Sequence, residues 1–185
     1  MSRRARAVLG ALLLGGAGGA ALADQRDPGL EPLFAQLAAA PDPAAAEPVA
    51  EEIWRIWGST ADPASAALLA RGELAMSQGD GRTAAAAFDL LVTREPDFAE
   101  GWNKRATLRY LAGDHAGSVA DIRRTLALEP RHFGALSGLA LILADQDRPA
   151  QALQWLRAAL ALYPLMPGGR ARLEVLEERT AGDPT

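Results

Sequence analysis

The sequence contains no cysteine. This absence excludes disulfide bonds, thiolate zinc sites and cysteine nucleophiles together. Aromatic residues make up only 5% of the chain, β-branched residues are sparse, and alanine dominates the apolar set. Because alanine loses no side-chain entropy in a helix, this composition favours helices over strands.

Lysine is nearly absent as well, since Lys104 is the only one and the other cationic residues are arginines. The formal net charge is −4. The chain therefore lacks the electrostatic footprint of a nucleic-acid-binding protein. It also lacks the basic stripe of a protein that lies on anionic membranes. We expect neither nucleic acid nor a membrane surface among its partners.

The first 23 residues are typical of a Sec signal peptide. Three arginines precede an apolar run at residues 7–14, and residues 21–23 (Ala-Leu-Ala) have the small-x-small pattern of a signal peptidase site. Cleavage before Asp24 would remove three arginines and no acid, which takes the net charge from −4 to −7. This segment predicts a periplasmic protein. An uncleaved N-terminal membrane anchor is the alternative, although glycines interrupt the run that a membrane span needs.

The rest of the chain repeats with a period of 34 residues, marked by Pro96, Pro130 and Pro164. With each proline at position 32, the repeats are 65–98, 99–132 and 133–166. Small residues at positions 8 and 20 predict two helices whose backbones approach closely, and large residues at positions 4 and 24 are expected to fill the space between neighbouring hairpins. Position 8 holds Gly72, Ala106 and Ala140, position 20 holds Ala84, Ser118 and Ala152, and position 24 holds Phe88, Ile122 and Leu156.

Residues at the helix ends agree with this period. Gly79 and Gly113 at position 15 suit the left-handed conformation that ends a first helix, and Asp147 takes that position in the third repeat. Asp97, followed three residues later by Glu100, predicts a capping box at the start of the next helix. Each repeat is therefore expected to be one antiparallel helical hairpin.

With these positions aligned, the chain resembles the tetratricopeptide repeat (TPR) family over residues 65–166. The resemblance implies an all-α, right-handed superhelical solenoid. It also places position 4 in the core, so that Leu68, Trp102 and Leu136 are expected to be buried. The TPRs that clamp a C-terminal carboxylate have lysine, asparagine and arginine at five groove positions. Here those positions hold Leu69, Glu73, Lys104, Gly134 and Gly138, and none of them matches.

The two ends of the array depart from the repeat. Residues 24–63 are expected to form a degenerate N-terminal hairpin, because an apolar stripe at Leu30, Leu33, Phe34 and Leu37 has helical spacing. Residues 167–180 read as one amphipathic helix that caps the stack, because Glu174 at position 8 is too large for a tight hairpin. Residues 181–185 are expected to be a disordered tail.

No motif for catalysis is present in the sequence. His115 and His132 have no metal-ligand spacing between them, and neither a glycine-rich phosphate loop nor a nucleophile elbow occurs. The carboxylates of Glu51 and Glu52 are adjacent on a predicted helix, so they point about 100° apart. We therefore expect a protein that is not an enzyme and that needs no metal or cofactor.

The resemblance implies that a partner protein or peptide binds in the concave groove. Asn103 and Lys104 could bind peptide carbonyls or a carboxylate, and Tyr110 offers an apolar face with a polar tip. The alternative is that Asn103 and Lys104 merely face solvent and that Tyr110 packs on the next hairpin. Gly134 and Gly138 are expected to leave room for a ligand. The expected groove residues are Glu73, Met76, Glu100, Asn103, Lys104, Thr107, Tyr110, Ser137, Leu141 and Asp145.

Two hypotheses for function follow. The first is a non-catalytic interaction module of the cell envelope, an assembly factor or scaffold that holds a peptide or partner helix in its groove. The second is a structural solenoid that associates with itself through an exposed apolar front edge formed by Leu30, Phe34 and Leu37.

Overall fold

The computed structural model describes residues 24–181, and the predicted signal peptide and residues 182–185 lie outside the described residues. Within the described range the chain is helical and contains no strand. The helices are α1 (Leu30–Ala39), α2 (Pro43–Trp57), α3 (Pro63–Ser77), α4 (Gly81–Arg94), α5 (Ala99–Leu111), α6 (His115–Leu128), α7 (Phe133–Asp145), α8 (Pro149–Leu162) and α9 (Gly169–Ala181).

The three hairpins α3–α4, α5–α6 and α7–α8 follow one another as a stack, with α4 packed on α5, α6 on α7, and α8 on α9. Aspartates begin several of these helices: the Asp80 and Asp114 carboxylates accept hydrogen bonds from backbone N–H groups at 3.0 and 2.8 Å. Such caps satisfy amides that have no partner within the helix. Gly79 and Gly113 have φ angles of 74° and 79°, and Asp147 has a φ of 57°. The expected left-handed positions at the first-helix ends are therefore present.

Small residues allow the two helices of a hairpin to approach closely, as expected, but the large residue of position 24 packs against them within the same hairpin and not only between neighbouring hairpins. The clearest case is Gly72, where a Cβ atom would lie 2.2 Å from Cε1 of Phe88. The large residues of position 24 are buried, with Phe88 and Leu156 at 0% and Ile122 at 3% exposure. Absence of a side chain at Gly72 thus sets how closely α3 and α4 approach.

Two local expectations are wrong. Trp102 is not in the core: it is half-buried, its Nε1 donates to the Pro96 carbonyl at 3.0 Å, and the Arg105 guanidinium lies 4.8 Å from its ring centroid. The capping box at α5 does not form either, because the N-cap residue is Phe98 without a side-chain cap. Asp97 pairs instead with Arg124 at 2.8 Å.

The α1–α2 hairpin packs across the junctions between repeats. Trp57 and Phe34 join Phe133 and Tyr163 in one hydrophobic cluster, and α1 contacts α8. Polar contacts also hold the N-terminal residues against the repeats. The Gln25 side chain donates to the Asp97 carbonyl at 2.6 Å, and Glu31 pairs with Arg131 at 2.7 Å. The hairpin is thereby held against residues that are distant in the sequence.

This packing removes the apolar front edge that the self-association hypothesis needed. Leu30 and Leu37 are 0% exposed and Phe34 is 8% exposed. Their apolar surface is already covered by the cluster around Trp57 and Phe133. These three residues therefore offer no exposed patch to a second copy.

Candidate functional site

Two hollows lie side by side along the inner faces of α5, α7 and α9. The α5–α7 hollow encloses about 120 Å³ and is lined by polar and small side chains that include Thr107 and Gly138. The α7–α9 hollow encloses about 260 Å³ and is lined mainly by apolar side chains, with Ser137 and Val175 at its edge. Leu141 lines both hollows. We call this continuous surface the concave groove.

Tyr110, which lines the α5–α7 hollow, is hydrogen-bonded to Asp145 at the end of α7. Tyr110 donates its hydroxyl proton to Asp145 at 2.7 Å. This hydrogen bond, with smaller effects of burial and of the negative charge, raises the pKa of Tyr110. The contact joins two residues that the sequence placed in the groove, and it fixes the Tyr110 ring beside the hollow.

Lys104 is already neutralised by carboxylates of the protein itself. Its Nζ lies 2.7 Å from Glu73 and 3.3 Å from Glu100. Burial acts to lower the pKa of Lys104, but the two acids outweigh it and the pKa is raised. The ammonium group therefore links α3 to α5, and its charge is not free for a ligand in the way the sequence suggested.

Glu100 is buried below the groove and does not line it, in contrast to the expectation. It is 1% exposed and accepts a hydrogen bond from Asn103 Nδ2 at 3.0 Å. His132 Nε2 lies 3.0 Å from the same carboxylate, and His132 Nδ1 accepts the Ala135 backbone N–H at 3.1 Å. Because Nδ1 is an acceptor, the ring proton is on Nε2 and is donated to Glu100.

This Glu100–His132 pair lies beneath the N-terminal hairpin. The Trp57 ring stacks on His132 with centroids 4.1 Å apart and planes at 11°. Burial acts to raise the pKa of Glu100, but the hydrogen bond from His132 and the nearby Lys104 ammonium prevail, and the pKa is lowered. The pair thus anchors α5, α7 and α2 to one another, which is a structural role.

The hairpin also occupies space that was expected to admit a ligand. A Cβ atom at Gly134 would lie 2.4 Å from Cη2 of Trp54, so Trp54 fills the gap beside that glycine. At Gly138 the nearest atom to such a Cβ is Ile122 Cδ1 at 3.7 Å. The open part of the α5–α7 hollow therefore lies beside Gly138 and not beside Gly134.

The remaining expected residues divide between the groove and the first repeat. Thr107 and Leu141 are exposed in the groove, and Ser137 is half-buried there. Met76 packs against the hydrophobic cluster of the first repeat, and Glu73 is held by Lys104. Neither of these two lines either hollow.

Helix α9 contributes a wall of the concave groove that was not predicted from the sequence. Arg172, Val175 and Arg179 line the α7–α9 hollow, and Val175 is 53% exposed. Arg172 donates to the Pro167 carbonyl at 3.3 Å, whereas Arg179 pairs with Asp147 at 2.9 Å. Continuing the 34-residue register past residue 166 puts these three residues at repeat positions 6, 9 and 13, which Gly138, Leu141 and Asp145 hold in the third repeat.

Among residues 24–181 no group of three or more histidine or acidic side chains is arranged to hold a metal ion. In the same range, no helix combines the length and the apolar character that a membrane span requires.

Stacked helical hairpins with a groove along their inner helices define an α-helical solenoid. The sequence profile of the Tetratricopeptide repeat family matches residues 69–128 and 103–167. A TPR repeat-containing protein of Rhizobium etli is 34% identical over 156 residues, which cover 84% of this chain and 76% of that protein. A homologue of the BBSome complex member BBS4 in Drosophila melanogaster is 28% identical, over 51% of this chain and 20% of that protein.

Solved protein structures have the same fold. The TPR2B domain of yeast Sti1 in complex with pHsp70 matches with a TM-score of 0.57 at 20% identity, over 65% of this chain and 98% of that one. The first TPR of Spaghetti (RPAP3), bound to an HSP90 peptide, gives 0.61 at 17% identity, over 64% and 96%. MamA protein gives 0.59 at 16% identity, over 75% and 73%. The chain belongs to the tetratricopeptide repeat family.

Proposed function

We propose that this protein is a non-catalytic interaction module that holds an extended peptide of a partner protein in the concave groove. The observation that carries the proposal is the continuity of the two hollows through Leu141. A peptide crossing them meets hydrogen-bonding groups of Thr107 and Tyr110 first and an apolar hollow second. An extended chain needs such polar groups because its own backbone is unsatisfied.

The peptide that suits this groove has a large apolar side chain followed by an acidic one. The α7–α9 hollow takes the apolar side chain against Leu141 and Val175, which are 37% and 53% exposed. The Arg172 guanidinium stands at the edge of that hollow and contacts only a carbonyl and the Met166 sulfur within the described chain. An arginine in that position favours a carboxylate of the ligand. Related folds in Sti1 and RPAP3 are found with bound peptides or partner proteins.

We further propose that the protein acts in the cell envelope, as an assembly factor or scaffold. The support is the signal-like segment at residues 1–23 of the sequence. Asp24 and Gln25 are 7% and 8% exposed, and cleavage before Asp24 keeps both of these buried residues in the mature chain. N-terminal sequencing of the protein from a periplasmic fraction should begin at Asp24. Recovery of the intact N-terminus from the membrane fraction would favour the anchored alternative.

The experiment for the groove is a quantitative pull-down with the mature chain as bait, followed by titration of the enriched partner by calorimetry. Leu141→Glu puts a charge where both hollows meet and should weaken partner binding at least about tenfold, which is 1.4 kcal/mol. Leu90→Glu is the matched control, because Leu90 is an exposed leucine of α4, outside both hollows.

Equal binding of the partner by wild type and Leu141→Glu would contradict the groove proposal. Lys104→Glu is unsuitable for this purpose, since it would bring three carboxylates together at Glu73 and Glu100 and disturb the fold.

A further inference from the structure

A second groove lies between α6 and α8 and shares no lining residue with the concave groove. It encloses about 690 Å³. Its floor is formed by Leu139 and Leu143 of α7, and Val119 and Leu126 of α6 are partly exposed along one side. Trp155 of α8 stands on the other side with 37% of its surface exposed. We call this surface the outer groove.

The charges of the outer groove are of one sign. Arg123 and Arg148 line it, and no carboxylate does. Within residues 24–181 Arg123 makes no ion pair, and Arg148 reaches only the Gln146 amide oxygen at 3.4 Å. The single acid on α6 is Asp121, which is buried and already pairs with two other arginines, and α8 carries no acid. On a chain of net charge −4, this groove is therefore locally positive.

The shape and polarity of the outer groove favour a helical ligand. The lining residues of α6 run from His115 to Ala127 along one face, a distance of roughly 18 Å or three helical turns. The backbone groups of α6 and α8 are satisfied within the helices, and the lining side chains are mostly apolar. An extended peptide would leave its own amides without partners here, whereas a helix satisfies them internally.

We propose that the outer groove is a docking site for an acidic amphipathic helix of a partner protein. The apolar stripe of that helix lies on Leu139, Leu143 and Trp155, and its carboxylates pair with Arg123 and Arg148. Exposed tryptophan and arginine are the residue types that contribute most to protein interfaces. With the concave groove engaged by a peptide, the same chain can then hold two partners on different surfaces.

The test uses a fluorescein-labelled helical peptide of about 14 residues, three to four turns long, with leucines at i, i+3, i+4 and i+7 and glutamates on the remaining face. Its counterparts carry lysine in place of glutamate, or the same residues in scrambled order. Fluorescence anisotropy with the mature chain should show saturable binding of the acidic helix alone, weakened by added salt.

The variant Arg123→Glu/Arg148→Glu should weaken binding of the acidic peptide at least about tenfold, and Trp155→Ala should weaken it as well. Arg82→Glu is the matched control, because Arg82 is exposed at the start of α4 and lines neither groove. Leu141→Glu, which disrupts the concave groove, should leave the affinity unchanged. Circular dichroism melts establish that each variant is folded.

Absence of saturable binding up to about 1 mM, an affinity of roughly −4 kcal/mol, would overturn the proposal. Equal binding of the lysine peptide, or full affinity of the Arg123→Glu/Arg148→Glu variant, would also overturn it. Loss of binding in Leu141→Glu would assign the acidic peptide to the concave groove instead. Reversible self-association that is abolished by Arg123→Glu would identify a second copy of this chain as the occupant.

Discussion

The stacked repeats and the N-terminal hairpin are both made of antiparallel helices, but they are held in place by contacts of different range. In α3–α8 each hairpin packs on the next one along the chain. The α1–α2 hairpin reaches much further, since Glu31 and Arg131 are separated by 100 residues and Gln25 and Asp97 by 72. A repeat pattern in the sequence specifies neighbours, so it specifies the stack but not the position of the hairpin.

The two regions also differ in the chemistry of their contacts. The repeats rely on small residues opposite large ones, as at Gly72 and Phe88. The hairpin relies on an aromatic cluster in which Trp57 contacts His132 and Phe133 at centroid distances of 4.1 and 5.0 Å. The Trp57 Nε1 group is buried without a hydrogen-bond partner among the described residues. We infer that shape and stacking, and not hydrogen bonding, hold this ring.

The largest effect is expected from Trp57→Ala, which removes the ring between the hairpin and the repeats. It should lower the free energy of unfolding by about 3–5 kcal/mol in urea titrations, as for other buried aromatic residues. Trp57→Phe keeps an aromatic ring and removes the unpaired N–H, so it should cost clearly less. If Trp57→Ala lowered the free energy of unfolding as little as Trp57→Phe, the hairpin would not be anchored at Trp57.

A smaller effect is expected from Gly72→Ala within the repeats. The new Cβ atom would overlap the Phe88 ring at 2.2 Å, and overpacking of this kind costs about 1–3 kcal/mol. Gly138→Ala is the control, because its nearest neighbour would be 3.7 Å away and alanine favours the helix. Denaturant melts should show a destabilised first variant and a second that is as stable as wild type or more so. The same loss in both variants would mean that the contact with Phe88 is not its cause, because alanine is a better helix former than glycine.

The smallest effect is expected from Glu100→Gln, which tests the Glu100–His132 pair that lies beneath the hairpin. Because the pKa of Glu100 is lowered from 4.5 in the folded chain, its ionised form adds stability above the unfolded-state pKa. That contribution is lost as the pH falls through the lower folded-state pKa. The variant should be about 1 kcal/mol less stable than wild type at pH 7. The difference should shrink below about pH 4.5; a difference independent of pH would exclude an ionised Glu100.

Most of the repeat architecture could be predicted from the sequence, because it depends on local spacing. Gly72 at position 8 and Phe88 at position 24 contact each other within one hairpin. A single 34-residue period therefore includes both partners of the contact. Trp102 shows where this reasoning fails. Its position in the repeat predicted burial, but the ring is covered by Arg105 and Arg124, and nothing in the period indicates that these arginines lie over it.

The candidate site could be predicted only in part, again because the repeat pattern reports local spacing and not long-range contacts. Thr107, Ser137 and Leu141 line the concave groove as expected from the register. Glu100 does not, because the hairpin that covers His132 comes from a segment outside the repeat. The same segment places Trp54 against Gly134. Burial by a distant part of the chain leaves no periodic signal in the sequence. The groove wall formed by α9, in contrast, could be predicted by extending the 34-residue register.

The long reach of the hairpin has a consequence for the order in which the molecule is completed during translation. Its apolar face emerges from the ribosome first, yet Arg131 and Phe133, on which it docks, are made about 100 residues later. At typical elongation rates of roughly 5–20 residues per second, that interval is on the order of 5–20 seconds. Throughout it, Phe34 and Trp57 lack their contacts with Phe133. Transiently exposed apolar surface of this kind is prone to aggregation, and here it persists until the third repeat has been made.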